Sequence, residues 1–153
     1  MTRGADDDPV MFRFFNEVGI IEQLARNRFE RLLPDGLKVA QFTVLNHFVR
    51  LGGERTPAEL ARAFQVTKGA MTNTLQRLEA RRLIRIRPDA HDGRVKRVSI
   101  TKAGIKMRNQ AVAALAPVMA DLSEQFPEAA FDRALPFLSS LRAALDAARD
   151  GQS

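Results

Sequence analysis

The chain contains no cysteine, no tryptophan and no tyrosine. The first absence excludes disulfides, thiolate metal ligands and any thiol nucleophile or thiol sensor. Only two histidines are present, His47 and His91, so a multi-histidine metal centre would need carboxylates to complete it. No metal and no cofactor are expected. Long apolar runs are missing too. The longest, Ala111 to Ala120, has ten residues and contains Pro117, against the roughly 20 of a membrane span. The N-terminus carries Asp6, Asp7 and Asp8 and no apolar stretch. It does not read as a secretory signal, and the chain is expected to be cytoplasmic, with no membrane partner. There is no nucleophile elbow, no phosphate-cradling glycine loop and no His/carboxylate cluster at metal spacing, so an enzyme is not expected. Gly52-Gly53 is a loop without a following Lys-Ser/Thr.

What is present is an uneven distribution of charge over 153 residues, one domain's worth of chain. The net charge is +6. Residues 1–61 carry −1, residues 62–108 carry +10 and residues 109–153 carry −3. A central basic block between mildly acidic ends points to a localised surface for a polyanion.

Apolar periodicity organises the rest. Asp8-Pro9 reads as an N-cap followed by proline at the first helical position. Met11, Phe14, Val18, Ile21, Ala25, Phe29 and Leu32 then mark one face of a long helix, ended by Pro34-Asp35-Gly36. A second helix carries Val39, Phe42, Leu45 and Val49 on one stripe, with Phe48 beside it, and stops at Gly52-Gly53. Thr56-Pro57-Ala58-Glu59 is a capping box that opens a short helix with Leu60, Ala61 and Phe64 inward. Gln65-Val66 makes a tight connection, and Thr67 caps a helix with Met71, Leu75 and Leu78 on its inner face. Two short helices across such a turn predict a helix-turn-helix.

The period then changes from 3.6 to 2. Ile84-Arg85-Ile86-Arg87 and Arg97-Val98-Ser99-Ile100 flank a segment rich in turn formers, which predicts a β-hairpin with a basic tip. Thr101 caps a long helix with Ile105, Val112, Leu115, Met119, Leu122 and Phe126 on its stripe, kinked at Pro117. Pro127 opens a last helix with Phe131, Leu135, Leu138, Leu141 and Leu145 on one face and a kink or break at Pro136. Gly151-Gln152-Ser153 is expected to fray. The fold class is therefore mainly α with a small β-hairpin wing: a winged helix-turn-helix core plus N- and C-terminal helices. Those terminal helices carry apolar stripes that a core of this size cannot cover, so a two-fold homodimer is expected.

The helix opened by Thr67 holds the candidate chemistry. Its outer face presents Lys68, Thr72, Asn73, Gln76 and Arg77. Asn and Gln can bond adenine edges at two points, and Arg can do so with guanine. At the hairpin tip, Arg94 is long enough to enter a minor groove, where negative potential concentrates, and Asp92 can hold that arginine or brace the turn. Arg97, like Arg85, Arg87 and Lys96, is a candidate for a backbone contact or plain surface.

The run from Leu60-Ala61 to Thr67, the helix Lys68 to Leu78, Leu83-Ile84, the wing Asp89 to Arg94, and Ser99-Ile100-Thr101-Lys102-Ala103-Gly104 resemble the MarR family of bacterial winged-helix transcriptional regulators. Asp92-x-Arg94 followed by Thr101-x-x-Gly104 is the specific part. The resemblance in element order covers about Val10 to Ala148. It implies a homodimer in which residues 1–36 and 103–150 form a helical dimerisation region and residues 37–102 a winged helix-turn-helix DNA-binding domain. It implies sequence-specific binding of double-stranded DNA at a pseudo-palindromic operator, as an effector-responsive repressor. It also implies a crevice for a small aromatic or anionic effector, with Phe14, Phe15, Phe42, Asn46, His47 and Met107 as candidates by position. The other class of function considered is a non-specific architectural DNA-binding protein; the Asn73/Gln76/Arg77 face argues against it, because shape binders need no base-reading amides.

Overall fold

The computed structural model describes residues 4–152; the expectations for Met1–Arg3 and for Ser153 lie outside them. The described chain is mainly helical with one two-stranded antiparallel sheet. The expected fold class, mainly α with a hairpin wing, is what the chain adopts.

Helix α1 spans Val10–Leu32. Pro9, not Asp8, takes its N-cap position, and no side chain caps the helix. The extended backbone of Pro9 (ψ 137°) moves the helix start one residue past the position the Asp8-Pro9 pattern implied. No residue of α1 is buried. After it, a 3₁₀ turn over Pro34–Gly36 puts Asp35 and Gly36 in left-handed conformations and delivers Leu37 to the core.

Helix α2, Val39–Leu51, buries Gln41, Val44, Leu45 and Phe48. Gln41 can lie inside because its side-chain oxygen accepts the Lys38 amide at 3.2 Å, satisfying one orphan donor of the first turn. Val49 was expected on the inner stripe but is exposed. It sits one residue, about 100° of arc, beyond Phe48. Helix α3, Pro57–Phe64, opens on the expected capping box: the Thr56 hydroxyl accepts the Glu59 amide at 3.1 Å, and the Glu59 carboxylate accepts the Thr56 amide at 2.9 Å. Such a cap contributes about 1 kcal/mol. Gln65, left-handed at φ 51°, turns the chain into Thr67, whose hydroxyl accepts the Ala70 amide at the start of α4, Lys68–Ala80.

Strands β1, Ile84–Pro88, and β2, Lys96–Ile100, pair with Ile84 opposite Ile100 and Ile86 opposite Val98. On its other edge β2 is bridged by Arg55, which exchanges two backbone hydrogen bonds with Val98. Helix α5, Lys102–Ala114, is capped by Thr101. One core gathers Leu37, Val44, Leu45, Phe48, Leu60, Met71, Leu75, Leu78, Ile84, Val98, Met107 and Ala111. Each large apolar side chain in it contributes roughly 1.5–3 kcal/mol by leaving water.

The stripe expected after Thr101 is out of phase. The buried residues are Gly104, Met107 and Ala111, while Ile105 and Val112 are exposed. The helix also breaks rather than kinks. It ends at Leu115, and α6 runs Ala116–Gln125 with Pro117 at its second position. A proline ring would crowd the carbonyl four residues back, and the first turn of a new helix is where it is tolerated. Helix α7, Glu128–Asp150, by contrast passes through Pro136 without interruption. The carbonyl that Pro136 deprives of a donor belongs to the exposed Asp132.

Residues 1–115 form one compact unit and residues 116–153 a second. Within the first, α5 shares the winged-helix core through Met107 and Ala111. In the second, no residue of α7 is buried, and the Phe126 and Phe131 rings meet edge to face at 6.4 Å.

Candidate nucleic-acid interface

Helix α4 is fastened to the core by Met71, Leu75 and Leu78, all on one side. Its opposite side therefore exposes Lys68, Thr72, Asn73, Gln76 and Arg77. Thr67, the N-cap, is exposed beside them. Asn73 and Arg77 are one turn apart, and the Arg77 Nε donates to the Asn73 side-chain oxygen at 3.3 Å. That bond leaves the Asn73 amide nitrogen, a donor, directed away from Arg77.

The wing tip is built by two aspartates. Asp89 Oδ1 accepts the His91 and Asp92 amides at 2.8 and 3.1 Å, and its Oδ2 accepts Arg97 Nε at 2.7 Å. The Arg97 hydrogen bond, then those two amides, hold the Asp89 carboxyl at about 2, below its ordinary 3.8. Asp92 Oδ1 accepts both the backbone amide and the Nε of Arg94 at 3.1 Å, and Oδ2 accepts its Nη2 at 3.3 Å. Those bonds to Arg94 lower the Asp92 carboxyl as well. The Arg94 side chain nevertheless stays 92% exposed. Asp92 thus does both things considered for it, bracing the turn and orienting the arginine.

Helix and wing frame one groove. Thr56, Pro57 and Ala58 at the start of α3, Lys68 and Thr72 on α4, and Arg94, Val95 and Lys96 on the wing line an open space of about 480 Å³. Lys68, Arg94 and Lys96 bring three cations to it, with no carboxylate in the lining. The base of the wing is locked by the Thr101-x-x-Gly104 pair. The Thr101 hydroxyl accepts the Gly104 amide at 3.0 Å and donates to the Arg82 carbonyl at 2.7 Å.

Arg97 is the site candidate that stands apart. Its guanidinium is bound to Asp89, and the side chain lines a separate surface with His47, Glu54 and Glu59. Asp89, which organises the tip, was missed. Its signal was legible, since an aspartate that accepts amides two and three residues on is an Asx turn.

The six effector candidates do not converge. Phe14 and Phe15 meet edge to face at 5.6 Å on α1. His47 packs edge-on to Phe64 at 5.2 Å. Asn46 accepts Arg108 Nε at 3.1 Å, and Met107 is in the core. Phe42 lines an apolar cavity of about 290 Å³, together with Glu22, Ala25, Arg26, Phe29, Leu33, Val39, Thr43 and Leu115. Arg26 Nε donates to Glu22 at 2.7 Å on its wall. Among the described residues no group of three or more His, Asp or Glu side chains is disposed to hold a metal ion, and no helix is long and apolar enough to cross a membrane.

Two short helices across a tight turn, the second exposing a polar face, followed by a hairpin that carries an arginine at its tip, define a winged helix-turn-helix. Residues 35–95, most of the winged helix-turn-helix, match the MarR family model. The fold as a whole is similar to that of the transcriptional regulator BldR from Sulfolobus solfataricus, with 22% identity over 95% of this chain and 99% of that one and a TM-score of 0.72. Wild-type MarR from E. coli in its apo form gives 22% identity over 88% and 96% of the two chains, with a TM-score of 0.72. An organohalide-sensing transcriptional regulator in its 2,4-dichlorophenol-bound form gives 19% over 94% and 86%, with a TM-score of 0.69. These likenesses establish the fold. No curated relative matches the chain.

Proposed function

We propose that the protein is a transcriptional repressor that binds a pseudo-palindromic operator in double-stranded DNA as a homodimer. The observation that carries this reading is the groove in which Lys68 and Thr72, from the exposed face of α4, meet the wing-tip Arg94 without a carboxylate on its wall. Asn73, Gln76 and Arg77 read base edges in a major groove, and Arg94 reaches the adjacent minor groove. Lys68, Thr67 and Thr72 meet phosphates at the helix N-terminus. Arg97 serves the wing rather than the DNA. Residues 1–36 and 103–150 supply the dimer contacts through the exposed apolar faces of α1 and α7, and residues 37–102 bind DNA. The dimer spaces its two recognition helices about 34–36 Å apart, one turn of the duplex.

The proposed effector is a small aromatic or anionic molecule, seated in the cavity beside Phe42, where its anionic group would displace Glu22 from Arg26. The structural neighbour that binds 2,4-dichlorophenol supports an aromatic ligand of one ring. Seated there, it can shift DNA affinity only by its preference for one lobe orientation over the other.

Competition between selected operator DNA and random duplex at fixed salt tests the reading. A specific repressor retains a ratio of roughly 10³ or more, and binding weakens by about 10³ between 50 and 200 mM salt if six or more phosphates are neutralised per dimer. A ratio near one would favour the architectural alternative, and a flat salt dependence would remove the electrostatic argument.

A further inference from the structure

The register of the wing exposes a latch between it and the recognition helix. In an antiparallel pair, a residue's N–H and C=O point to the same side of its strand. Val98 turns both toward Arg55. Its partner Ile86 therefore turns both toward the outer, unpaired edge of β1. Every second residue of β1 does the same: Ile84, Ile86 and Pro88. Pro88 has no N–H to leave bare, which is one device for a free sheet edge. Ile86 is handled differently. Its N–H donates to the Glu79 carboxylate at 3.1 Å.

Glu79 stands in the last turn of α4, two residues past Arg77. A carboxylate there is in an unfavourable place for the helix, because the C-terminal end of the dipole is negative. It also subtracts charge from the most basic stretch of the chain. The Ile86 amide, donating to the Glu79 carboxylate, offsets part of that penalty. The bond joins the helix that carries Asn73, Gln76 and Arg77 to the strand that leads to Arg94.

We infer that Glu79 is a positioning residue for the wing: its carboxylate clips the outer edge of β1 to the recognition helix and so fixes the angle at which Arg94 is presented. Glu79 itself does not touch DNA. The inference rests on the DNA-binding reading above only for its second readout.

The first readout is hydrogen exchange of the Ile86 amide in the full-length protein without DNA. Glu79→Gln keeps an acceptor oxygen at the same reach but not its charge, and should speed exchange by only a few-fold, less than the two variants that remove or withdraw the acceptor. Glu79→Ala removes the acceptor, and Glu79→Asp keeps the charge but withdraws it by one methylene. Both should speed exchange at Ile86 by about tenfold or more, the factor that loss of a charge-assisted hydrogen bond gives. Unchanged exchange in both would overturn the latch, whatever the protein binds.

The second readout is affinity for a random-sequence duplex of about 30 base pairs, three helical turns. Glu79→Ala and Glu79→Gln remove the same charge, so comparing them cancels its long-range effect. In the Gln background, Arg94→Ala should weaken binding by roughly tenfold. In the Ala background it should weaken it by about twofold or less, because a loose wing has already lost that contact. An equal Arg94 effect in both backgrounds overturns the positioning role even if the exchange result holds. Absence of DNA binding by the parent protein would instead refute the DNA-binding reading, and the exchange result would then decide the latch alone.

Discussion

Gly104 lies against the carbonyl oxygen of Leu83, so closely that a Cβ on residue 104 would overlap that oxygen and the Ile100 side chain. The Leu83 carbonyl also accepts the Thr101 amide at 3.1 Å. This crossing joins the end of the recognition helix, the base of the wing and the start of α5. It explains physically why a Thr-x-x-Gly follows the wing. Gly104→Ala must move backbone rather than a flexible side chain. It is expected to destabilise the fold by about 1–3 kcal/mol, at the upper end of that range, and to lower Tm by roughly 5–10 °C. An unchanged thermal transition would show that the crossing relaxes freely.

Asp89 sets the acid limit of the wing. Its carboxyl titrates near 2 in the folded protein, against 3.8 ordinarily, chiefly because Arg97 binds the ionised form. The unfolded chain therefore takes up the proton first. The contribution of Asp89 is complete above about pH 4 and is lost as pH falls toward 2. The carboxyl carbon of Asp89 and the Arg97 Hε should shift together in an NMR titration through that window, and Asp89→Asn should abolish the transition. A midpoint near 4 would mean that the Arg97 pair does not form in solution.

Helix and wing should separate under mutation. Asn73→Ala or Gln76→Ala is expected to cost about 1–3 kcal/mol on the operator and little on random DNA. Arg94→Ala should weaken both, with the larger loss where the flanks are A·T-rich. Fluorescence anisotropy on matched duplexes reads the two ratios. Equal losses on operator and random DNA for Asn73 and Gln76 would remove their base-reading role.

The exposed apolar residues of α1 and α7 predict the solution state. Met11, Ile21 and Leu24 are 74, 61 and 66% exposed, and Phe131, Leu135 and Leu145 are exposed on α7. Sedimentation equilibrium at low micromolar concentration should give twice the 17.1 kDa chain mass. Ile21→Glu or Leu138→Glu should shift it toward the monomer. A single species at the chain mass for the parent protein would refute the dimer.

The cavity beside Phe42 predicts a ligand response. Small aromatic carboxylates and phenols titrated against the protein–operator complex should release DNA. Arg26→Gln should weaken the carboxylates more than the phenols, since only the former need the full counter-charge. If no compound shifts DNA affinity and Phe42→Ala changes only stability, the cavity is ordinary core and the trigger lies elsewhere.

The local elements were legible because their signals are local. Thr56 and Glu59 are three residues apart, Thr67 and Ala70 likewise, and the period-2 runs at 84–87 and 97–100 are short-range patterns. The inner face of α4 read correctly because Met71, Leu75 and Leu78 leave its other face polar over the whole helix. Phase failed where apolar residues ring the helix. In α5, Ile105 and Val112 looked as eligible for the core as Met107 and Ala111, and only packing against α2 chose between them. The two prolines differed for a similar reason: Pro117 sits at a break and Pro136 inside a continuous helix, although each residue imposes the same local restriction.

The sequence by itself determined the order of elements, the polar outer face of α4 and the Asp92–Arg94 pair two residues apart, since all of these depend on neighbours within a few positions. Tertiary structure decided the rest. It turned Arg97 onto Asp89, gave Arg108 to Asn46 across 62 positions of chain, and set Phe42 and Arg26 on the wall of one cavity. It also placed Glu79 against the edge of β1. Such pairings depend on how elements cross, and crossing angles are set by the whole core, so a short window of sequence does not contain them.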